Sequence, residues 1–138
     1  MKTDYGKLGR ESMDSLKGTS KQAAVVQARL LAEIMRRNCD TVYGRKYGFG
    51  EIETAAEFQK SVPLSVYGDY EDYILQMIAG EEKILTEEPS VYYCISSGTT
   101  GDAKYLPLTE RDLNIQYIYA FGLPFGMVRE YYGDLPED

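Results

Sequence analysis

The stretch Val91–Leu108 constrains the fold most, because here the residue pattern changes from helical to extended. VYYCI, Val91–Ile95, is an apolar run bounded by turn residues, which is typical of a strand. KYLPL predicts a second short strand over Tyr105–Leu108, where Pro107 favours a sheet edge. Between them lies SSGTTGDAK, Ser96–Lys104, a loop of hydroxyls and glycines that ends in a lysine. The fold must therefore accommodate two strands joined by this loop.

Helical spacing dominates the residues before these strands. Ser20 is predicted to cap a long helix that runs to about Asn38, and an earlier, weaker helix is expected within Tyr5–Leu16. The apolar residues that recur at helical spacing in the long helix are interpreted as core. They are Val26, Leu30, Leu31, Ile34 and Met35.

Three more helices are predicted from local start and stop signals. Thr54 and Glu57 have capping-box spacing at the start of TAAEFQKS. A helix over Asp69–Ala79 has acids in its first turn and Gly80 placed to end it. Another opens near Thr109 and covers ERDLNIQYIYAFG, whereas the final LPFGMVREYYGDLPED is too rich in glycine, proline and acid to assign. The fold class is therefore α/β (α+β), helix-rich, with few short strands.

Composition excludes several classes of function. A net charge of −7 argues against a nucleic-acid binder, which needs a basic face. The absence of histidine removes His-based zinc sites and Ser-His or Cys-His dyads, and the acids Asp69, Glu71 and Asp72 are explained by a helix start rather than by a metal site. Neither a signal core nor a membrane-length apolar run is present, so a cytoplasmic location is expected.

The loop Ser96–Lys104 has the parts of a polyphosphate site. Gly98 and Gly101 permit turns with positive φ and a close approach of the backbone to a ligand, and successive N–H groups in such turns can bind an anion. Hydroxyls add uncharged donors, and Lys104 supplies positive charge. The spacing is neither that of a Walker A loop nor that of a Rossmann fingerprint. On residue types alone, a plain turn in a hairpin remains an equal alternative.

The ordered string SSGTTGDAK resembles the phosphate-binding loop of the adenylate-forming superfamily. Within that superfamily the likeness is to the auxin-responsive acyl acid–amido synthetases, the Gretchen Hagen family. Their first ATP motif is a Ser-Ser-Gly-Thr-Ser/Thr run, a short variable piece and a basic residue. The VPL break, the YEDY helix and the ILTEEP lead-in within Phe58–Pro89 also look like that family, as does TVYGRKYGF upstream. The resemblance covers most of Ser20–Leu108.

The resemblance implies a ligase that uses ATP and magnesium. In that family a small carboxylic acid attacks the α-phosphate of MgATP, and an amino acid then attacks the resulting acyl-adenylate to give an amide. The loop would hold the β- and γ-phosphates, with direct contacts from Ser97, Thr99, Thr100 and Lys104. No catalytic residue is assigned. The expected nucleotide-binding set is Ser96, Ser97, Gly98, Thr99, Thr100, Gly101 and Lys104.

The family's enzymes are several times longer than this chain, and their magnesium-binding acidic motif, adenine pocket and hinge lie downstream of the first motif. Residues 1–138 are therefore expected to be a single, incomplete amino-terminal subdomain that does not complete adenylation alone. As an isolated fragment it is expected to form homo-oligomers, because a lobe cut from a larger fold exposes apolar faces. Two alternatives remain open: a non-catalytic anion- or nucleotide-binding module, and a protein-interaction module with a tyrosine-rich surface.

Overall fold

The protein is described here by a computed structural model, which covers residues 4–96 and 103–133. The fold is helix-rich with one pair of strands, as the sequence predicts. By their contacts the residues form two compact units, one of Ala24–Glu110 and one of Met1–Ala23 with Arg111–Asp138. None of the helices in the two covered ranges is long and apolar enough to span a membrane.

The elements follow one another in a simple order. They are α1 (Tyr5–Ser20), α2 (Ala23–Asn38), α3 (Val42–Lys46), a 3-10 turn (Phe49–Glu51), α4 (Ala55–Ser61), a 3-10 turn (Tyr67–Asp69), α5 (Glu71–Ile78), β1 (Ser90–Ile95), β2 (Tyr105–Thr109), α6 (Glu110–Tyr117), a π-helical segment (Ile118–Gly122) and α7 (Leu123–Tyr132).

The unit that contains both ends of the chain is built on a close helix crossing. Helix α1 packs against the π-helical segment and against α7. A Cβ atom added at Gly126 would lie 2.5 Å from the carbonyl oxygen of Gly9, and one added at Gly122 would lie 2.2 Å from the hydroxyl of buried Ser12. Such spacing leaves no room for a side chain, so the helix backbones meet through these small residues.

The same glycines explain why the sequence does not predict α7. Glycine and proline usually interrupt helices, and this segment contains Gly122, Pro124 and Gly126. Pro124 lies in the first turn of α7, directly after the π-helical segment, and the two residues before it, Gly122 and Leu123, keep helical φ/ψ. The glycines serve packing against α1, which local sequence cannot show.

The prediction that Ser20 caps α2 is wrong. Ser20 is the last residue of α1, and its hydroxyl donates to the carbonyl of Lys17 at 3.1 Å. Helix α2 begins only at Ala23, after a turn in which Gln22 N–H donates to Thr19. A serine hydroxyl can bond a preceding carbonyl as readily as a following N–H, so the residue type alone does not distinguish a helix start from a helix end.

In the second unit, α2 ends at Asn38 as predicted, and Met35 packs into a core with Tyr43, Phe49 and Ile52. The prediction that the whole apolar stripe of α2 is core is wrong for Leu30 and Ile34, which are exposed. Thr41 is fully buried at the next turn. Its hydroxyl donates to the carbonyl of Asn38 and accepts from Gly44 N–H, each at 2.8 Å. One bond satisfies a carbonyl at the end of α2, and the other satisfies an N–H in the first turn of α3.

The remaining local signals are confirmed. Thr54 and Glu57 form the reciprocal capping box at the start of α4. Gly80 ends α5 with a φ of +94°, and the Gly80 and Glu81 N–H groups donate to the carbonyls of Met77 and Gln76. That pattern of two bonds is a Schellman motif, which satisfies carbonyls at the helix end.

The two strands pair antiparallel, with Ile95 opposite Tyr105 and Tyr93 opposite Pro107. A bulge interrupts the register between Ser90 and Tyr92. Strand β2 also contacts α5, so the hairpin is packed against the helix that precedes it in sequence. The strands fall where the sequence predicts them.

We expect Gly126→Ala to destabilise the helix crossing by about 1–3 kcal/mol, because the added methyl must displace the α1 backbone. Gly18→Ala is the matched control within α1, since nothing lies within 4 Å of a Cβ atom there. That change should stabilise the chain by about 0.5–1 kcal/mol through helix propensity. Urea unfolding followed by circular dichroism measures both. Equal effects of the two changes would contradict the close crossing.

Candidate functional site

The structure brings the two ends of the hydroxyl- and glycine-rich loop together at the loop end of the hairpin, where the two strands are connected. Ser96 N–H donates to the carbonyl of Lys104 at 3.0 Å, and Lys104 N–H donates to the Ser96 hydroxyl at 3.3 Å. Ser96 is half-buried, whereas Lys104 is exposed. The intervening predicted site residues, Ser97, Gly98, Thr99, Thr100 and Gly101, lie outside the described residues. The assignment of all seven predicted site residues, Ser96 and Lys104 included, stays a prediction.

A side chain from the preceding segment contacts this hairpin end. The Tyr67 hydroxyl accepts from Tyr105 N–H at 2.9 Å and donates to the carbonyl of the same residue at 3.4 Å. The Lys104 ammonium lies 5.5 Å from the centre of the Tyr67 ring, within cation–π range. One tyrosine therefore contacts two consecutive residues at the exit of the loop.

Tyr67 is itself held in place by its turn. Asp69 accepts from Val66 N–H at 2.8 Å, and Tyr70 N–H donates to the carbonyl of Tyr67 at 2.9 Å. The turn leads directly into α5, which packs on β2. Tyr67 thus contacts the loop end of the hairpin, and the helix that follows Tyr67 packs on β2.

Behind the turn lies an aromatic cluster centred on buried Tyr43. Its ring is surrounded by those of Tyr47, Phe49, Tyr70 and Tyr73, with centroid separations of 4.6, 5.8, 5.5 and 5.7 Å. The hydroxyl of Tyr43 meets that of Tyr70 at 3.2 Å, and Tyr70 meets the Ser65 hydroxyl at 2.6 Å. The cluster therefore anchors both ends of the turn that carries Tyr67.

Burial shapes the electrostatics of this cluster. Desolvation, followed by the hydrogen bond with Tyr70, raises the pKa of Tyr43 well above its usual range. At the exposed edge, the hydrogen bond from the Lys46 ammonium to the Tyr73 hydroxyl, 2.9 Å long, raises the pKa of Lys46. Both shifts favour the protonated form, so Tyr43 stays a neutral phenol and Lys46 stays a cation.

These groups suit the binding of a polyanion at the hairpin end. Lys104 offers an exposed cation, Ser96 a hydroxyl at the loop entrance, and the loop between them carries the predicted hydroxyls and glycines. In residues 4–96 and 103–133 there is no group of three or more acidic, cysteine or histidine side chains that could hold a metal ion. The described part of the site offers an exposed cation, Lys104.

Comparison with known proteins decides the family. The model of the GH3 family N-terminal domain matches residues 12–137, nearly the whole chain. The chain belongs to the GH3 family.

Curated relatives and a solved structure agree with this assignment. This GH3 chain is 30% identical over 72% of its length both to indole-3-acetic acid-amido synthetase GH3.3 of Arabidopsis thaliana and to jasmonoyl–L-amino acid synthetase GH3.5 of Oryza sativa subsp. japonica. The AtGH3.15 acyl acid amido synthetase, solved in complex with 2,4-DB, matches 94% of the chain with a TM-score of 0.79 and 26% identity. The chain spans 17%, 18% and 23% of these three proteins, respectively.

Sequence reasoning missed Tyr67 in this GH3 chain. With 13 tyrosines and no histidine, no tyrosine is distinguished by type, and tyrosines at core edges are the ordinary expectation. The contact between Tyr67 and Tyr105 joins residues 38 positions apart. No local spacing signals such a contact.

We expect Tyr43→Phe to cost about 0.5–1.5 kcal/mol at neutral pH, because the ring stays and Tyr70 keeps its bond to Ser65. The raised pKa means that neutral Tyr43 stabilises the fold below the ordinary tyrosine pKa of about 10, and that this contribution is lost as pH rises above it. Between neutral and alkaline pH, Tyr43→Phe should therefore lose less of its free energy of unfolding than the unmutated chain loses.

The control for this measurement is Tyr131→Phe, since that side chain is 81% exposed. Thermal unfolding at neutral and alkaline pH gives both comparisons. The burial argument would be contradicted if Tyr43→Phe and the unmutated chain lost stability in parallel as pH rises.

Proposed function

We propose that this chain supplies the phosphate-holding part of an ATP-dependent ligase that forms an acyl-adenylate and then an amide. The observation that carries the proposal is that the match to the GH3 domain spans the whole loop. Its two ends, Ser96 and Lys104, are hydrogen-bonded to each other at the loop end of the hairpin. The relatives are named as amido synthetases of acids such as indole-3-acetic acid. The residue types at the hairpin end fit one reactant of that chemistry, the triphosphate.

The reaction proposed for the whole protein has two steps. A carboxylate oxygen of a small organic acid attacks the α-phosphorus of MgATP, and the bond to the β-phosphate oxygen breaks to release pyrophosphate. The amine of an amino acid then attacks the acyl carbon of the adenylate, losing a proton and displacing AMP. Both steps depend on alignment and on neutralising phosphate charge.

Seven residues of the loop have a proposed part in holding ATP. Lys104 pairs with the β- or γ-phosphate, and the hydroxyls of Ser97, Thr99 and Thr100 donate to phosphate oxygens. Gly98 and Gly101 let the backbone N–H groups approach the anion. Ser96 bonds to Lys104 and fixes the base of the loop.

Magnesium is proposed to arrive with ATP and to be held by the phosphates and by residues outside this chain. The described residues offer no cluster of acids for it. No magnesium ligand is therefore assigned to this chain. The cytoplasm, where ATP is abundant, is the proposed location, and the proposed partners are the nucleotide and the two small substrates rather than nucleic acid or membrane.

We expect Lys104→Ala to slow acyl-adenylate formation about ten- to a hundredfold, because a charge-assisted contact to phosphate contributes about 1.5–3 kcal/mol. The measurement is carboxylate-dependent exchange of pyrophosphate into ATP by the full-length protein. Thermal stability should change by less than about 0.5 kcal/mol, since the lysine is exposed.

Lys60→Ala is the control for Lys104→Ala, because it removes the same charge from an exposed position on α4. The control should retain normal exchange. Normal exchange in Lys104→Ala would reduce the loop to a turn and favour a protein-interaction module. Triphosphate binding that is lost in Lys104→Ala, without any exchange activity in the unmutated protein, would favour a non-catalytic nucleotide-binding module.

The isolated chain is proposed to self-associate through apolar side chains of the unit Ala24–Glu110. Several are strongly exposed: Leu64 (105%), Val66 (71%), Val91 (56%) and Ile95 (62%). Exposed apolar surface favours association in water.

We expect sedimentation velocity to show dimers or larger species that increase with concentration. Val91→Thr with Ile95→Thr keeps the β-branched shape while adding hydroxyls, so it should shift the chain towards monomer. Self-association would be contradicted if the unmutated chain stayed monomeric at high concentration and bound no dye that detects exposed apolar surface.

A further inference from the structure

The backbone of Tyr105 faces away from its partner strand. In an antiparallel pair, positions that exchange backbone hydrogen bonds alternate with positions that do not. Ser96 and Lys104 are hydrogen-bonded to each other, so the adjacent pair, Ile95 and Tyr105, is one whose N–H and C=O groups point outwards. An outward-facing edge needs another partner to hold it.

Tyr67 provides that partner with a single atom. Its hydroxyl accepts from Tyr105 N–H and donates to Tyr105 C=O, at 2.9 and 3.4 Å. The phenol therefore takes the place that one residue of a third strand would occupy. Because a hydroxyl has both a donor and an acceptor, it can satisfy both backbone groups at once.

The ring of the same side chain contacts the residue before Tyr105. The Lys104 ammonium lies 5.5 Å from the centre of the Tyr67 ring. A ring contact uses one side of the ammonium and leaves N–H donors on the other side for an anion. A free lysine side chain samples many rotamers, and ordering it costs affinity, so a ring that already restricts it lowers that cost.

The position of Tyr67 is itself restricted by its surroundings. It is half-buried, its turn is closed by Asp69, and the next aromatic residue, Tyr70, packs on Tyr43 at 5.5 Å. Tyr67 thus links the hairpin end to the core of its unit. The hydroxyl fixes the backbone next to Lys104, and the ring fixes the direction of the ammonium.

We propose that Tyr67 is the positioning residue for Lys104, holding its backbone and its ammonium in the geometry that receives the triphosphate of ATP. The inference rests on the proposed function, because it assigns Lys104 a phosphate to bind. Tyr67 acts through Lys104 and needs no contact with the nucleotide.

The first test isolates the hydroxyl. Tyr67→Phe keeps the ring and removes the partner of both Tyr105 backbone groups. Amide hydrogen exchange, read by NMR on the 138-residue chain, should become about three- to tenfold faster at Tyr105, as expected for one lost hydrogen bond. Tyr92→Phe is the matched control, since it removes an exposed hydroxyl from β1 of the same hairpin. The control should leave Tyr105 exchange unchanged.

The second test asks whether Tyr67 acts through Lys104. Inorganic tripolyphosphate is titrated into the chain at constant ionic strength, and binding is followed by NMR chemical shifts. Tyr67→Phe should weaken binding about two- to fivefold, and Tyr67→Leu, which also removes the ring, should weaken it further, because each change frees Lys104 to sample other positions. In a Lys104→Met background, where no ammonium remains to be positioned, neither change at Tyr67 should have an effect.

The outcomes separate this inference from the proposed function. Unchanged Tyr105 exchange in Tyr67→Phe would overturn the inference whether or not the anion binds. So would a Tyr67 effect on tripolyphosphate that persists in the Lys104→Met background, since it would then be a general effect on the fold. Tripolyphosphate binding that is weakened by Lys104→Met but not by Tyr67→Leu would overturn the inference and leave the proposed function intact. No tripolyphosphate binding by the unmutated chain would overturn the proposed function and the phosphate role of Tyr67 together.

Discussion

The burial of Tyr43 is the interaction on which the larger unit depends. Its ring contacts four other aromatic rings, and its backbone N–H donates to the carbonyl of Ile84, which joins α3 to the segment just before β1. Removing a ring of this size from a core typically costs about 3–5 kcal/mol. Because Tyr70 and Tyr73 lie on the segment after Tyr67, the same ring fixes the side chain that contacts the hairpin. Stability and the geometry of the candidate site therefore share one residue.

Electrostatics explains why placement matters so much for this site. The chain carries a net charge of −7, so the triphosphate that we propose as its ligand would approach a chain of its own sign. At physiological ionic strength such long-range repulsion is screened over about 8 Å, and contacts within that distance decide binding. Lys104 is the one cationic side chain in the sequence Ser96–Lys104, and the same stretch contains an acidic residue, Asp102. A site with so little positive charge depends on where that charge is held.

Apart from the cap assigned to Ser20, the sequence predicted features that depend on neighbouring residues, and it failed where a distant partner decides. The two strands follow from aromatic and β-branched runs, and the box between Thr54 and Glu57 is complete within four positions. Helix α7 was not predicted, because Gly126 is accommodated by α1, far away in sequence. For the candidate site, the sequence identified Ser96 and Lys104 at the two ends of the loop, but the contact from Tyr67 depends on a fold that brings residues 38 positions apart together. The family resemblance was confirmed, whereas the roles of Ser96–Gly101 and of Lys104 remain predictions.

Pro107 and Tyr67 together have a consequence for how the hairpin meets other chains. Pro107 lies opposite Tyr93, two positions from Tyr105, so it too belongs to the outward-facing set of β2, and it has no N–H to offer there. Tyr105 has its outward groups occupied by Tyr67. A foreign strand laid along this side of β2 would find one position already bonded and the next without a donor. The outer side of β2 is thus a poor template for the strand addition by which sheets seed amyloid-like aggregates.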